Sequence, residues 1–161
     1  LLLWVHATLI DSGMLAYQRF VEPLSPAGAR QYYEDSKILA RVFEIPESIV
    51  PASLADFQDY VNATTNGDQV TVGATARSLA EDILYPSPWL LKPGGALFRL
   101  LTAGLLPAKL RAQYGLLWDQ RRRRRFAFAV GTIRRLRPFV PGPLRIVPHA
   151  RRAERRMRRR V

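Results

Sequence analysis

LLWVHATLIDSGMLAYQRFV, residues 2–21, is the stretch that decides the fold class. Apolar side chains recur in it three and four positions apart, which is the spacing of one face of an α-helix. Trp4 and Leu15 fall on the other side, so this helix is expected to be covered on two sides. Pro23 should end it. The predicted main face consists of Leu2, Leu3, His6, Leu9, Ile10, Gly13, Met14, Tyr17, Phe20 and Val21.

The same periodicity continues along the chain, with proline and glycine between the apolar segments. Ser25-Pro26 is typical of a helix start, and Ser53 with Asp56 three residues later resembles a capping box. No segment shows sustained alternation, so the sequence predicts an all-α fold, an irregular multi-helix bundle of about six to eight helices. The further helices are predicted at 26–43, 54–65, 76–85 with Thr75 as its cap, 96–106, 107–113 and 117–137.

The pattern also predicts which side chains are buried and where the chain turns. The second helix is expected to bury Tyr32, Ile38, Leu39, Val42 and Phe43, and the fourth carries Leu79, Ala80 and Ile83. Prolines and glycines at 86–95 predict a loop, and Pro138, Pro141 and Pro143 predict a rigid extended connector. Residues 1–144 would then form a helical domain that is incomplete at its N-terminus, and residues 145–161 a basic C-terminal helix or tail.

Composition excludes several classes of protein. Of the 161 residues, 48% are hydrophobic and none is cysteine, which excludes a wholly disordered chain, a disulfide scaffold and a thiolate metal site. No apolar run reaches the roughly 18–20 residues of a membrane span. The expected location is therefore cytoplasmic, with peripheral membrane association open.

The excess of positive charge lies entirely in the last third of the chain. The formal net charge is +12, but residues 1–104 hold more acidic than basic side chains. The arginine run Arg121, Arg122, Arg123, Arg124 and Arg125 lies in the basic part and covers every face of a helix. Arg122 should point toward the apolar side, where it must either extend its guanidinium group out to solvent or pair with an acid of the first part. The run has three interpretations: docking on the acidic part, contact with an anionic membrane surface, or nucleic-acid binding, which the lack of interleaved aromatic residues disfavours.

Few residues are candidates for chemistry. Nucleotide-binding, zincin and hydrolase signatures are absent, and no catalytic or metal-binding set can be assigned. Two histidines are present, His6 and His149, too far apart for one local motif. His6 lies in the apolar stripe of the first helix, so its ring has either a hydrogen-bond partner in the core or a functional ligand.

Several blocks resemble one family of bacterial proteins. They are WVHATLIDSGM at 4–14, PLSP at 23–26, YYEDS at 32–36, YGLLW at 114–118 and PHARRA at 148–153. Together they resemble the C-terminal part of proteins related to the ER-bound oxygenase MpaB and the rubber oxygenases, or latex-clearing proteins.

The resemblance implies an all-helical oxidoreductase domain. In the rubber oxygenases it implies a b-type haem that activates dioxygen to cleave isoprenoid double bonds, and hence a hydrophobic, isoprenoid substrate. The family's axial histidine belongs to a block that precedes WVH, so the axial ligand is expected ahead of Leu1. His6 is then expected to line the haem pocket or to orient a neighbour of the haem ligand. Leu97, Phe98, Leu100, Leu101, Leu105 and Leu106 are candidates for the wall of a hydrophobic channel.

Two functions follow as hypotheses. The first is the C-terminal part of a haem-dependent oxygenase domain that binds haem weakly or not at all alone. The alternative is a non-enzymatic helical module that binds an anionic membrane surface or a protein partner through its arginine-rich C-terminal third.

Overall fold

The computed structural model describes residues 1–68, 70–85 and 92–141 of the chain. These residues form seven α-helices and no strand, which confirms the all-α prediction. Short 3₁₀ turns lie at Glu47–Ile49 and Arg137–Phe139. The α-helices are α1 Leu2–Phe20, α2 Pro26–Val42, α3 Leu54–Asn66, α4 Ala74–Leu84, α5 Lys92–Leu105, α6 Ala108–Gln113 and α7 Gln120–Leu136.

The core lies where α1, α2 and α3 meet. Ala7 and Ile10 of α1 are packed with Tyr33 of α2 and Phe57 of α3, and all four are at most 3% exposed. The Tyr33 and Phe57 rings lie 4.8 Å apart, centroid to centroid. The Tyr33 hydroxyl donates to the Pro51 carbonyl oxygen at 2.6 Å, so this buried polar group is satisfied.

Helix α1 is covered on more than one side, as predicted. It packs against α2 and α3, and also against α5 and α7. Its most buried residues, however, are His6, Ala7, Ile10 and Met14. Leu2 and Leu9 were predicted on the buried face but are more than half exposed. The buried face of α1 is thus rotated, relative to the predicted face, toward Ala7, whose small side chain lets neighbouring helices approach.

The prediction for the buried face of α2 was wrong. Tyr33, Ser36 and Ala40 face the core, whereas Tyr32 is only half-buried. A tyrosine whose hydroxyl finds a partner and two small residues can sit in a tight helix contact. The apolar side chains expected in the core are exposed: Ile38, Leu39, Val42 and Phe43. On α4, Leu84 is buried, whereas Leu79 and Ile83 are exposed.

Local capping explains several helix ends. The Ser25 side chain accepts from the Gly28 N–H at 3.0 Å, and Ser53 with Asp56 forms the predicted capping box. Thr75 is not a cap, because α4 already begins at Ala74 with Gly73 before it. Gly115 follows the end of α6 with a φ of 67°, a left-handed conformation that favours glycine and commonly ends a helix.

Two proline-based predictions differ from the structure. Pro93, Gly94 and Gly95 lie inside α5, because proline and glycine are tolerated in the first turn of a helix. Pro138 lies in the 3₁₀ turn after α7 and not in an extended connector. The predictions for Pro86, Pro88, Pro143, His149 and the 145–161 segment lie outside the described residues.

Gln113, at the end of α6, links this helix to α4 and to the segment before it. The Val72 N–H donates to Gln113 Oε1 at 3.1 Å, and Arg77 Nε donates to the Gln113 carbonyl oxygen at 3.0 Å. Lys109 of α6 donates to the carbonyl oxygens of Asn66 and Gly67 at the end of α3. Short helix α6 is therefore tied to both neighbours and forms one wall of the cavity described below.

Among the described residues, none of the helices combines the length and the apolar character that a membrane crossing needs.

Candidate functional site

His6 lies in the interface of α1 and α2. The side chain is 1% exposed, and Nε2 lies 3.3 Å from the carbonyl oxygen of Ser36. The Ser36 hydroxyl in turn donates to the Tyr33 carbonyl oxygen at 2.6 Å. The ring therefore has a hydrogen-bond partner within the core, which is the arrangement of a buried structural histidine.

A concave site lies on another face of α1. It is a partly open cavity of about 370 Å³ lined by residues of α1, α3, α5, α6 and the turn between α5 and α6. Its walls are mainly apolar, and we call it the α1 cavity. It is lined by Trp4, Thr8, Asp11, Ser12, Leu15, Val61, Thr65, Thr102, Leu105, Leu106, Pro107 and Leu110.

Among the described residues, Asp11 is the one ionisable side chain that lines the α1 cavity. Burial raises the pKa of its carboxyl group above the ordinary 3.8. Within the described part of the chain, no side chain forms a hydrogen bond or an ion pair with this carboxylate. A carboxyl group in an apolar recess with a raised pKa can hold and release a proton near a bound molecule.

Sequence reasoning missed Asp11, although a signal for it was present. Trp4, Thr8, Asp11 and Leu15 follow the spacing of a second helical face, separate from the main apolar stripe. Asp11 lies between Trp4 and Leu15 on this second face, so the sequence already shows an acidic residue on the side of the helix that a neighbour was expected to cover.

Four of the six predicted channel-wall residues line one of two sites, whereas Phe98 and Leu101 line neither of them. Leu105 and Leu106 line the α1 cavity. Leu97 and Leu100 line a separate groove of about 430 Å³ between α5, α7 and the segment before α7.

The arginine run occupies the first turns of α7. Arg121, Arg123, Arg124 and Arg125 are exposed, and Arg122 is half-buried. Arg122 Nη1 lies 2.7 Å from Asp119 Oδ2, so its partner is the capping residue of its own helix and not an acid of the first part. The Arg122 N–H donates to Asp119 Oδ1 at 2.7 Å and lowers the pKa of Asp119.

The outward face of α7 carries both charge and an aromatic ring. Arg121, Arg124 and Arg135 are exposed on it, and Phe128 between them is 77% exposed. On the inward side, Phe126 is buried and packs edge-on against Trp118. Helix α7 is therefore docked on the bundle with most of its arginines in solvent, and Arg134 also donates to the carbonyl oxygen of Gln18 in α1.

Comparison with known proteins identifies the family. Residues 1–135 match the model of the catalytic domain of the ER-bound oxygenase mpaB/B′ and rubber oxygenase. The chain belongs to this family. The match includes the α1 cavity, His6 and the arginine run, so the sites described above belong to the oxygenase catalytic domain.

Two mycobacterial relatives are similar to the oxygenase-family chain. They are the uncharacterized proteins Mb2261 of Mycobacterium bovis and Rv2237 of Mycobacterium tuberculosis, each 28% identical over 140 residues. The alignment covers 86% of the chain and 55% of each relative, so the chain spans about half the length of these curated proteins. No solved structure matches the chain.

The described residues do not fit a histidine-ligated haem. His6 is the one histidine among them, and its ring is enclosed and engaged with Ser36. It does not line the α1 cavity, and placing iron at Nε2 would require α1 and α2 to separate. Within the described ranges there is also no cluster of three or more side chains able to hold a metal ion.

Proposed function

We propose that this oxygenase-family chain supplies part of the substrate-binding side of an oxidoreductase that acts on a hydrophobic small molecule, with isoprenoid hydrocarbons as the leading class. The observation that carries the proposal is the α1 cavity, which lies within the matched region and is lined mainly by apolar side chains. Such recesses with few polar groups are the usual form of sites for small apolar ligands. The α1 cavity would bind and orient the ligand and exclude water from it.

Asp11 is the proposed titratable group of this site. Its raised pKa and lack of a partner in the described residues leave it able to accept or donate a proton next to the ligand. Thr8 is less available, because its hydroxyl already donates to the Val5 carbonyl oxygen at 2.8 Å. Asp11 is therefore the first residue to test for an effect on turnover.

We propose that the haem implied by the family resemblance takes its axial histidine from outside the described residues. The predicted position of this histidine is ahead of Leu1. The 161-residue chain is expected to bind haem weakly or not at all, because His6 is enclosed. A Soret band at one equivalent of haem, lost in His6→Ala, would contradict this placement.

The ligand-binding proposal is tested by titrating the chain with a short acyclic terpene hydrocarbon and following tryptophan fluorescence, since Trp4 lines the α1 cavity. Ser12→Phe places a ring at the cavity wall and is expected to weaken binding about tenfold, equal to about 1.4 kcal/mol. Gln58→Phe is the matched control, because Gln58 is exposed on α3 and does not line the cavity. Absence of saturable binding, or an equal loss in both variants, would refute the proposal.

Enzyme activity requires a second measurement. Dioxygen uptake that depends on the hydrophobic substrate is measured on a form of the protein that also carries the haem-ligating segment, because the 161-residue chain is expected to bind haem weakly or not at all. The uptake should fall in Asp11→Asn while terpene binding is retained. Retained uptake in Asp11→Asn would remove Asp11 from the proposal without affecting the binding site.

A second candidate function is peripheral binding to an anionic membrane surface. It is favoured by the outward face of α7, where Phe128 is exposed between Arg121, Arg124 and Arg135. Exposed basic helices with aromatic residues often lie at the lipid headgroup level. This binding would place the protein at the surface where hydrophobic substrates dissolve.

Flotation with vesicles of phosphatidylcholine, with and without phosphatidylglycerol, tests the membrane proposal. The double variant Arg121→Gln with Arg124→Gln should lower the floated fraction, whereas Arg19→Gln with Arg30→Gln, a control at exposed arginines of α1 and α2, should not. Removal of residues 145–161 separates the tail's contribution. Equal flotation of both double variants would refute a role for this face.

A further inference from the structure

We propose that the groove between α5 and α7 binds the anionic headgroup and the first carbons of a single-chain amphiphile, such as a long-chain phosphate or carboxylate. This site is separate from the α1 cavity. Helix α5 directs Thr102 and Leu105 toward the cavity and Arg99, Leu100 and Ala103 toward the groove. The two sites therefore use different faces of one helix.

The groove carries positive charge. Arg99, Arg122 and Arg125 line it, and none of the acidic side chains that the structure describes does. Asp119 offsets part of the charge on Arg122 through their 2.7 Å ion pair. Arg125 forms no hydrogen bond or ion pair with any described residue, so its guanidinium group is free for an anion.

Two of these arginines are held in place by other residues of the protein, Arg99 by neutral groups and Arg122 by a carboxylate. Arg99 Nη1 donates to the Leu84 carbonyl oxygen at 3.2 Å, and its guanidinium carbon lies 4.6 Å from the centre of the Tyr85 ring. The Asp119 contact orients Arg122 in the same way. Fixed guanidinium groups lose little conformational entropy when an anion binds, which favours recognition of a carboxylate or phosphate.

The remainder of the groove is apolar and open to solvent. Leu97 is 45% exposed and Leu117 is 71% exposed, and both line it. Covering these side chains with an alkyl chain would remove apolar surface from water. A ligand with charge at one end and hydrocarbon behind it is complementary to both parts, whereas a free phosphate or a neutral alcohol matches only one.

Calorimetric titration of the 161-residue chain with dodecyl phosphate, kept below its critical micelle concentration, tests the proposal. We expect one site, with inorganic phosphate and 1-dodecanol each binding at least tenfold more weakly. Equal binding of inorganic phosphate or of dodecanol would overturn the proposal, because the apolar wall or the arginines would then contribute nothing. Binding to phosphatidylglycerol vesicles without binding of the dissolved amphiphile would also overturn it in favour of a membrane surface.

Two pairs of variants locate the site. Arg125→Gln should weaken dodecyl phosphate binding about fivefold, which corresponds to losing one exposed ion pair of up to ~1 kcal/mol. The neighbouring variant Arg124→Gln should change binding less than about twofold, because Arg124 does not line the groove. Leu97→Gln should weaken binding more than Phe98→Gln, because Phe98 has similar exposure but does not line the groove. Equal effects within either pair would show diffuse attraction and refute a built site. Terpene binding in the α1 cavity should be unchanged in all four variants, so the failure of one site leaves the other testable.

Discussion

Gly104 fixes the distance between α5 and α7, and its replacement by alanine is the sharpest test of the packing. A Cβ atom built at Gly104 would lie 2.8 Å from Phe126 Cγ and closer still to Cδ2 and Cε2 of the same ring. Ordinary carbon–carbon contacts lie at roughly 3.5–4.0 Å. The ring of Phe126 would therefore have to move by about 1 Å or more. It is buried and packs edge-on against Trp118 with centroids 5.7 Å apart, so it has little room to turn.

The size of the effect follows from two opposing terms. Overpacking a core site costs about 1–3 kcal/mol, and a displaced aromatic ring belongs at the upper end of that range. Alanine stabilises a helix by about 1 kcal/mol relative to glycine, which offsets part of the cost. Gly104→Ala is therefore expected to lower the free energy of unfolding by about 2 kcal/mol, or Tm by about 4–8 °C for a chain of this length.

Urea unfolding followed by circular dichroism measures this change. Gly131→Ala is the control, because Gly131 lies in α7 with nothing within 4 Å of its built Cβ, and it should gain about 0.5–1 kcal/mol. In a Phe126→Leu background the Gly104→Ala cost should shrink to below about 1 kcal/mol, since the two sites are in direct contact. If Gly104→Ala stabilised the chain as Gly131→Ala does, α5 and α7 would not pack as described.

Three further substitutions test the core and the site. Asp11→Asn should stabilise the chain at neutral pH, because burial raises the pKa of Asp11 and ionising this carboxyl group above the unfolded pKa of 3.8 therefore lowers the stability of the folded state. The gain in stability should vanish as the pH is lowered toward 3.8. A gain that does not change with pH, or one equal to that of exposed Asp59→Asn, would contradict this reasoning. Tyr33→Phe should cost about 1 kcal/mol at neutral pH through the lost bond to Pro51. Burial also raises the pKa of Tyr33 to about 12 from 10.0, so unfolding midpoints of the wild type should fall across that interval and those of Tyr33→Phe should fall less. His6→Ala should cost about 3 kcal/mol in urea unfolding, because it leaves a cavity between α1 and α2, and an unchanged midpoint would argue against the enclosed position of the ring.

The helix positions were predictable because their signals are local. Ser25 and Ser53 cap the helices they were expected to cap, and Gly115 ends α6. A capping side chain and a left-handed glycine depend on residues within one turn, so the sequence window contains the whole interaction. The one predicted cap that was wrong, Thr75, lies two residues from Gly73, within the usual uncertainty of a helix boundary.

The buried faces were less predictable because burial depends on the neighbouring helices. The apolar stripe of α2 suggested that Ile38, Leu39 and Val42 face the core, yet the described residues leave them exposed. Tyr33 and Ala40 are buried in their place, and a tyrosine or an alanine carries a weaker hydrophobic signal than isoleucine. Periodicity identifies an apolar face but does not say which neighbour packs against it.

The same reasoning explains why neither concave site could be read from one segment. The α1 cavity draws its lining from four helices, and the groove combines α5 with the start of α7 and residues 115–117. Both depend on α5, whose position is set by the contact between Gly104 and Phe126. A shift of α5 away from α7 would therefore widen the groove and narrow the α1 cavity at once. Gly104→Ala should accordingly change ligand binding at both sites. Ser12→Phe should change binding only in the α1 cavity, and Arg125→Gln only in the groove. This difference separates the effect of helix packing from the effects of the individual side chains.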